Sequence, residues 1–222
     1  MATYIKKYDN LPINSGEILR YSGVKNADGK MLALIDDCVK EAADIFRFDV
    51  CYGEFEMVDN GSSFDLGFTK ISSKSVKKHL CGCEKIVVFA ATVGIEIDRL
   101  IARYGKISPA KSLIFQAIGA ERIEALCDAF CRDIAEEYSS KGCFTRPRFS
   151  PGYGDLPLEI QTDIFKALDC SKKIGLTLNS SLLMSPSKSV TAIIGVSKST
   201  GNHDSKNCTV CQKTDCIFRR NV

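Results

Sequence analysis

The sequence predicts a fold of the α+β class, with helices packed on antiparallel strands, and three observations carry that reading. Long stretches repeat apolar residues at helical spacing, one short run is apolar and β-branched enough for a strand buried on both faces, and one segment alternates apolar and polar residues around a turn. Size agrees: 222 residues with 45% hydrophobic and 26% charged content bury a core as one large domain or two small ones.

Taken in order, residues 15–21, "SGEILRY", read as a short helix, and "KMLALIDDCVKEAADIF" follows with Leu32, Ile35, Val39 and Ala42 at helical spacing. "YGEFEMVDNGSSFDLGFTKI" alternates on both sides of Asn60-Gly61, as a hairpin does when its turn requires positive φ. "SSKSVKKHL" reads as a short capped helix, and "KIVVFAATVG", residues 85–94, as the buried strand. Helical spacing returns over residues 95–104 and 109–138, where Ile123, Leu126, Phe130 and Ile134 form one stripe. A second stripe, Ala117, Ala120, Glu124, Cys127 and Cys131, sets a carboxylate among small side chains. Glu124 there either pairs with Arg122 and nearby lysines or lines a place where a ligand approaches closely. A helix over residues 158–170 follows, opened by Pro157 and carrying Ile160, Ile164, Ala167 and Leu168, and two strands are expected around Pro186.

Charge and cysteine content narrow the function. Lysine and arginine exceed aspartate and glutamate by three, interspersed and without a basic stripe, so nucleic acid is not an expected partner. No run of about 18 apolar residues exists and "MATYIKKYDN" lacks the zones of a secretory signal, so a cytoplasmic location with no membrane partner is expected. In that setting an odd count of 11 cysteines points to reduced thiols, metal ligands or redox chemistry over a disulfide framework. Nucleotide-binding loops, HExxH and GxSxG are absent, and with only His79 and His203 there is little scope for histidine acid–base catalysis. His79 is expected at a helix end beside Lys77 and Lys78.

Two segments stand out chemically. "RPRFSPGYGDLPL", residues 146–158, holds prolines at 147, 151 and 157 that restrict φ, with Gly152 and Gly154 where a side chain would collide. It reads either as a structural corner or as a preformed ligand loop. In the second case Arg148 offers a fork of donors to a carboxylate, Ser150 its backbone and hydroxyl, and Tyr153 a ring to a flat partner. The tail from residue 199 is polar and holds Cys208, Cys211 and Cys216 with His203 five positions before the first. Thiolates at that spacing suit zinc or an iron–sulfur cluster, against the alternative of a plain thiol-bearing tail.

"RFSPGY" resembles the Arg-x-x-Pro-Gly-Tyr signature of the activation domain of vitamin B12-dependent methionine synthase. "CGCEKIVVFAATVGIEID", "AIGAERIEALCDAF", "RFSPGYGDLPLEIQTDIFKAL" and "IGLTLNSSLLMSPSKSVTA" follow in that family's order across residues 80–195, while the first 70 residues match more weakly. The resemblance implies a twisted antiparallel sheet with flanking helices over residues 1–198, with 199–222 as a separate cysteine-containing tail. It implies binding of S-adenosylmethionine and support of the reductive methylation that rescues inactive cobalamin, in the service of methionine biosynthesis. Carried over by position, Arg148 holds the cofactor carboxylate, the backbone at Ser150 meets the adenine beside Gly152, Glu124 is the helix acid of the pocket, and Tyr153 faces the corrin at the reacting centre.

The family's N-terminal Asp-Trp stretch has no counterpart in a chain without tryptophan, and Ile193 and Ile194 stand where the synthase domain has aromatic residues. No Asp-x-His-x-x-Gly segment supplies a lower cobalt ligand. The cobalamin is therefore expected on a partner chain, a corrinoid protein or a split cobalamin-dependent methyltransferase, with an electron donor such as a flavodoxin or ferredoxin. A different expectation is an electron-delivery adaptor built on the cysteine tail, with a vestigial cofactor pocket; a third is a non-catalytic interaction subunit.

Overall fold

The computed structural model describes residues 2–24 and 27–198. In chain order the elements are β1 (Thr3–Tyr8), α1 (Ser15–Ser22), α2 (Gly29–Ala42), β2 (Phe48–Glu56), β3 (Val58–Asp59), β4 (Phe64–Asp65), β5 (Lys70–Ile71), α3 (Lys74–His79), β6 (Lys85–Thr92), α4 (Glu96–Ile107), α5 (Pro109–Ser140), β7 (Phe144–Thr145), α6 (Ile160–Leu168), α7 (Cys170–Ile174), β8 (Thr177–Leu178), β9 (Met184–Ser185) and β10 (Ser189–Ser197). Five strands form one sheet in the order β1-β2-β6-β10-β7, every neighbouring pair antiparallel.

Alternation along the central strands divides the core in two. Val87, Phe89 and Ala91 of β6, with Ala192 and Ile194 of β10, turn to the side of α1, α2, α4 and α5, where Phe115, Leu126 and Phe130 meet them. Ile86, Val88 and Ala90, with Ile193, turn to the side of α3, α6 and α7 and pack on Val76, Leu80, Ile164 and Leu168. The run at 85–94 is thus a central strand buried on both faces, as its β-branched composition predicts.

Several elements differ from the sequence reading. The hairpin at Asn60-Gly61 is antiparallel, but its strands β3 and β4 are two residues each around a loop closed by Asn60 N–H to the Ser63 carbonyl at 2.9 Å. The preceding alternating run belongs instead to β2, in the main sheet. The helix expected over 158–170 is the shorter α6, because Asp169 takes a left-handed conformation that ends it before α7 begins. Beside β10, the segment before Pro186 folds as a small β8–β9 hairpin.

Helix α5 runs 32 residues from a proline at its first position, where the missing N–H costs nothing, and its length lets it serve both the core and the site. No helix among the described residues is long and apolar enough to cross a membrane.

Candidate functional site

A cleft of about 410 Å³ opens where α5, the loop after β7, α6 and the start of β10 meet, walled by Glu124, Arg148, Phe149, Ser150, Pro151, Tyr153, Gln161, Met184 and residues 189–191. Four of the residues singled out from sequence, Glu124, Arg148, Ser150 and Tyr153, share this one cleft. Gly152 does not wall it. That residue sits behind the rim at φ +87°, its N–H bonded to the Leu156 carbonyl at 2.9 Å.

The loop is held at both ends by α3. His79, at the last position of that helix, donates Nε2–H to the Pro147 carbonyl at 2.6 Å and lies 5.0 Å from the Phe149 ring. Asp155 accepts from Ser73 Oγ at 2.5 Å, Lys74 N–H at 2.7 Å and Ser75 N–H at 3.0 Å. These bonds, the Ser73 hydroxyl first and then the two backbone N–H groups, hold the Asp155 carboxyl well below the usual carboxylate range. Gly154 passes so close to α3 at φ +59° that a Cβ there would lie 2.4 Å from Ser75 Oγ. A preformed loop is therefore what the prolines and glycines produce, with α3 as its anchor.

Within the cleft Arg148 is half-buried and pinned by two carboxylates, NH2 to Glu124 Oε2 at 2.6 Å and NH1 to Asp128 Oδ1 at 2.5 Å. Burial acts to lower the Arg148 pKa, but the bond to Asp128 and the nearby anionic groups raise it above its ordinary value, so the guanidinium stays charged. Glu124 pairs with Arg148, whereas Arg122 binds its own neighbour Glu121 at 2.5 Å. Asp128, one turn along α5 from Glu124, completes the group and was missed from sequence, although its i+4 spacing was the available signal.

Cys131 Sγ lies 4.0 Å from Arg148 NH1, and Cys127 is buried beside it on the same stripe. Burial pushes both thiols above their ordinary range against the opposing pull of Arg148, so they remain protonated. The thiols behind Arg148 are thus neutral, and far weaker nucleophiles than thiolates. Tyr153 is 68% exposed at the rim, free to meet a second body.

A second hollow of about 740 Å³ adjoins the cleft and shares Glu124 with it, lined also by Asn14, Glu17, Tyr21, Glu121 and Asp128. Its far wall is the N-terminal segment, which sequence reasoning left without a site residue. Buried Arg122 fastens that wall, donating to the Leu11 carbonyl at 2.7 Å and the Pro12 carbonyl at 2.6 Å, while Glu121 accepts from Asn14 N–H at 3.0 Å. Tyr21 is raised in pKa by burial and then by the charge of Glu124, which shows how near the N-terminal helix comes to the cleft acid.

Cys208, Cys211, Cys216 and His203 lie outside the described residues. Among the described residues no group of three or more His, Cys, Asp or Glu is arranged to hold a metal ion.

No curated protein sequence matches the chain. A solved structure, the crystal structure of the MetH reactivation domain bound to AdoHcy, matches with a TM-score of 0.62 at 14% identity, over 88% of this chain and 78% of that one. At that identity the likeness establishes the fold, an α+β domain with a curled antiparallel sheet. The family model described as the vitamin B12 dependent methionine synthase activation domain matches residues 73–221, which include the signature loop, α5, the cleft and the cysteine tail. The chain belongs to the family of the activation domain of vitamin B12-dependent methionine synthase.

Proposed function

We propose that the chain binds S-adenosylmethionine in the cleft at Arg148 and supports the reductive methylation that returns inactive cobalamin, carried by another protein or module, to use. The supporting observation is that a family signature, Arg148 to Tyr153, forms one wall of a cleft and pairs its arginine with two acids of α5, Glu124 and Asp128.

The donor set suits such a ligand. Arg148 commits two of its five N–H groups to Glu124 and Asp128, which leaves donors for a carboxylate while the two acids give the trio an excess negative charge toward a cation. When bound, S-adenosylmethionine supplies an electrophilic methyl group on a sulfonium. The chain's own residues do the rest: Arg148 orients the amino-acid end, the Ser150 backbone takes the base, and Cys127 and Cys131 stay protonated. Tyr153 at the rim lays its ring toward the corrin that approaches from outside. The corrinoid partner, an electron donor of flavodoxin or ferredoxin type and a cytoplasmic setting belong to this proposal.

Calorimetric titration of S-adenosylmethionine and S-adenosylhomocysteine tests it. Arg148→Met removes charge-assisted hydrogen bonds worth about 1.5–3 kcal/mol, so affinity falls roughly 10- to 150-fold. No binding by the unaltered protein, with or without a corrinoid partner, overturns the proposal.

A further inference from the structure

The cleft contains buried oxygens that the protein itself does not satisfy. Gln161, on α6, and Thr191, on β10, both line it and are only 6% and 2% exposed, yet Gln161 Oε1 and Thr191 Oγ1 have no hydrogen-bond partner among the described residues. Native proteins rarely leave such atoms without a partner, because a buried oxygen has lost its water.

The backbone of β10 adds a third acceptor. Ile193 exchanges both hydrogen bonds with Phe149 at 2.9 Å, so alternation along the strand turns the N–H and C=O of Thr191 the same way, toward the cleft edge. The residue that continues the opposing segment there is Pro151, which has no N–H to offer the Thr191 carbonyl. The ladder stops at the bridge, and the position where a further donor would stand is open to the cleft. At this end Gln161 Oε1 and the Thr191 carbonyl can only accept and Thr191 N–H stands beside them as a donor, so the edge complements an amino group next to an unprotonated ring nitrogen.

A hydroxyl brings one hydrogen to such a wall; an exocyclic amine brings two. Resting on the cofactor reading above, we infer that Gln161 and Thr191 read the base of the bound nucleoside, accepting hydrogen bonds from a 6-amino purine and so selecting adenine over a 6-oxo purine. Gln161 interrupts the otherwise apolar stripe of α6 formed with Ile164 and Leu168, a position where packing alone calls for a hydrocarbon side chain.

The test compares S-adenosylhomocysteine with S-inosylhomocysteine, its 6-oxo counterpart, by calorimetry on the unaltered protein, Thr191→Val and Gln161→Leu, with thermal melting of each protein alone. The unaltered protein is expected to favour the adenosyl ligand, and each substitution to cost that ligand roughly 5- to 12-fold in affinity while leaving the inosyl ligand nearly unchanged, which collapses the preference. Without ligand, both variants melt at the same or a higher temperature, since an apolar group replaces an unsatisfied oxygen. Equal affinity of the unaltered protein for both ligands overturns the inference and leaves the cofactor reading standing. So do variants that melt lower while their ligand preference persists, which would assign the oxygens to a structural water. Failure of the unaltered protein to bind either ligand removes both readings.

Discussion

Replacing Gly154 by alanine probes how the site loop is built, and its cost follows from two separate features. Gly154 sits at φ +59°, where a residue with a Cβ is less stable by about 1–2 kcal/mol. The added Cβ would also lie 2.4 Å from Ser75 Oγ and 2.8 Å from Ser75 Cβ. The hydroxyl can rotate away, but the Cβ of Ser75 is fixed to α3, whose N-terminus is bonded to Asp155. Overlap of this kind costs roughly 1–3 kcal/mol, so the total is about 2–5 kcal/mol. The chain can take that cost in two ways, as lower global stability or as release of the loop from α3. Urea unfolding reads the first and amide hydrogen exchange over residues 147–158 the second; cofactor affinity falls with either. Adding Ser75→Gly removes the overlap and leaves the strained φ, so the double variant should recover the steric part beyond the sum of the single effects. A Gly154→Ala protein within about 0.5 kcal/mol of the original, with unchanged exchange in the loop, would refute the anchoring argument.

Three other outcomes are expected. The pKa of Asp155 is depressed in the folded protein, so the stability it contributes is present above its unfolded value near ~3.9 and is lost as pH falls from there toward the folded value; hydrogen exchange in residues 147–158 should rise below about pH 4, and Asp155→Asn should abolish that dependence. Gly195→Ala would put a Cβ 2.7 Å from both Cys83 Sγ and Leu80 Cδ2, costing about 1–3 kcal/mol and lowering the melting temperature by roughly 2–4 °C per kcal/mol. Arg122→Met strands the buried Glu121 carboxylate and frees the Leu11 and Pro12 carbonyls, a loss of about 3–5 kcal/mol by urea titration, with added protease sensitivity in residues 9–14.

What could be read from sequence followed local pattern. Strand β6 declared itself through an unbroken β-branched run, α5 through its repeated stripe, and the site loop through fixed φ at its prolines. Strand β1 did not, because an edge strand exposes half its residues and "TYIKKY" spends two of six on lysine. Two-residue strands such as β7 carry no period at all. The partner of Glu124 was beyond reach for a different reason: an acid on a helix has several nearby cations in sequence, and only the path of the chain over 24 further residues brings Arg148 to it. Gln161 and Thr191 were not singled out from sequence, because whether a buried side-chain oxygen finds a partner depends on which groups the fold brings beside it.

The pinned arginine has a consequence for turnover. Its side chain loses its freedom when the protein folds, so a newcomer to the cleft does not have to immobilise it, and one cation held by two acids leaves the neighbourhood with a residual negative field. On the proposed function, a donor that enters with a positive sulfur and becomes a neutral thioether after giving up its methyl group would feel that field on arrival and much less on departure. Exchange of spent for fresh donor would then be favoured by electrostatics already in place.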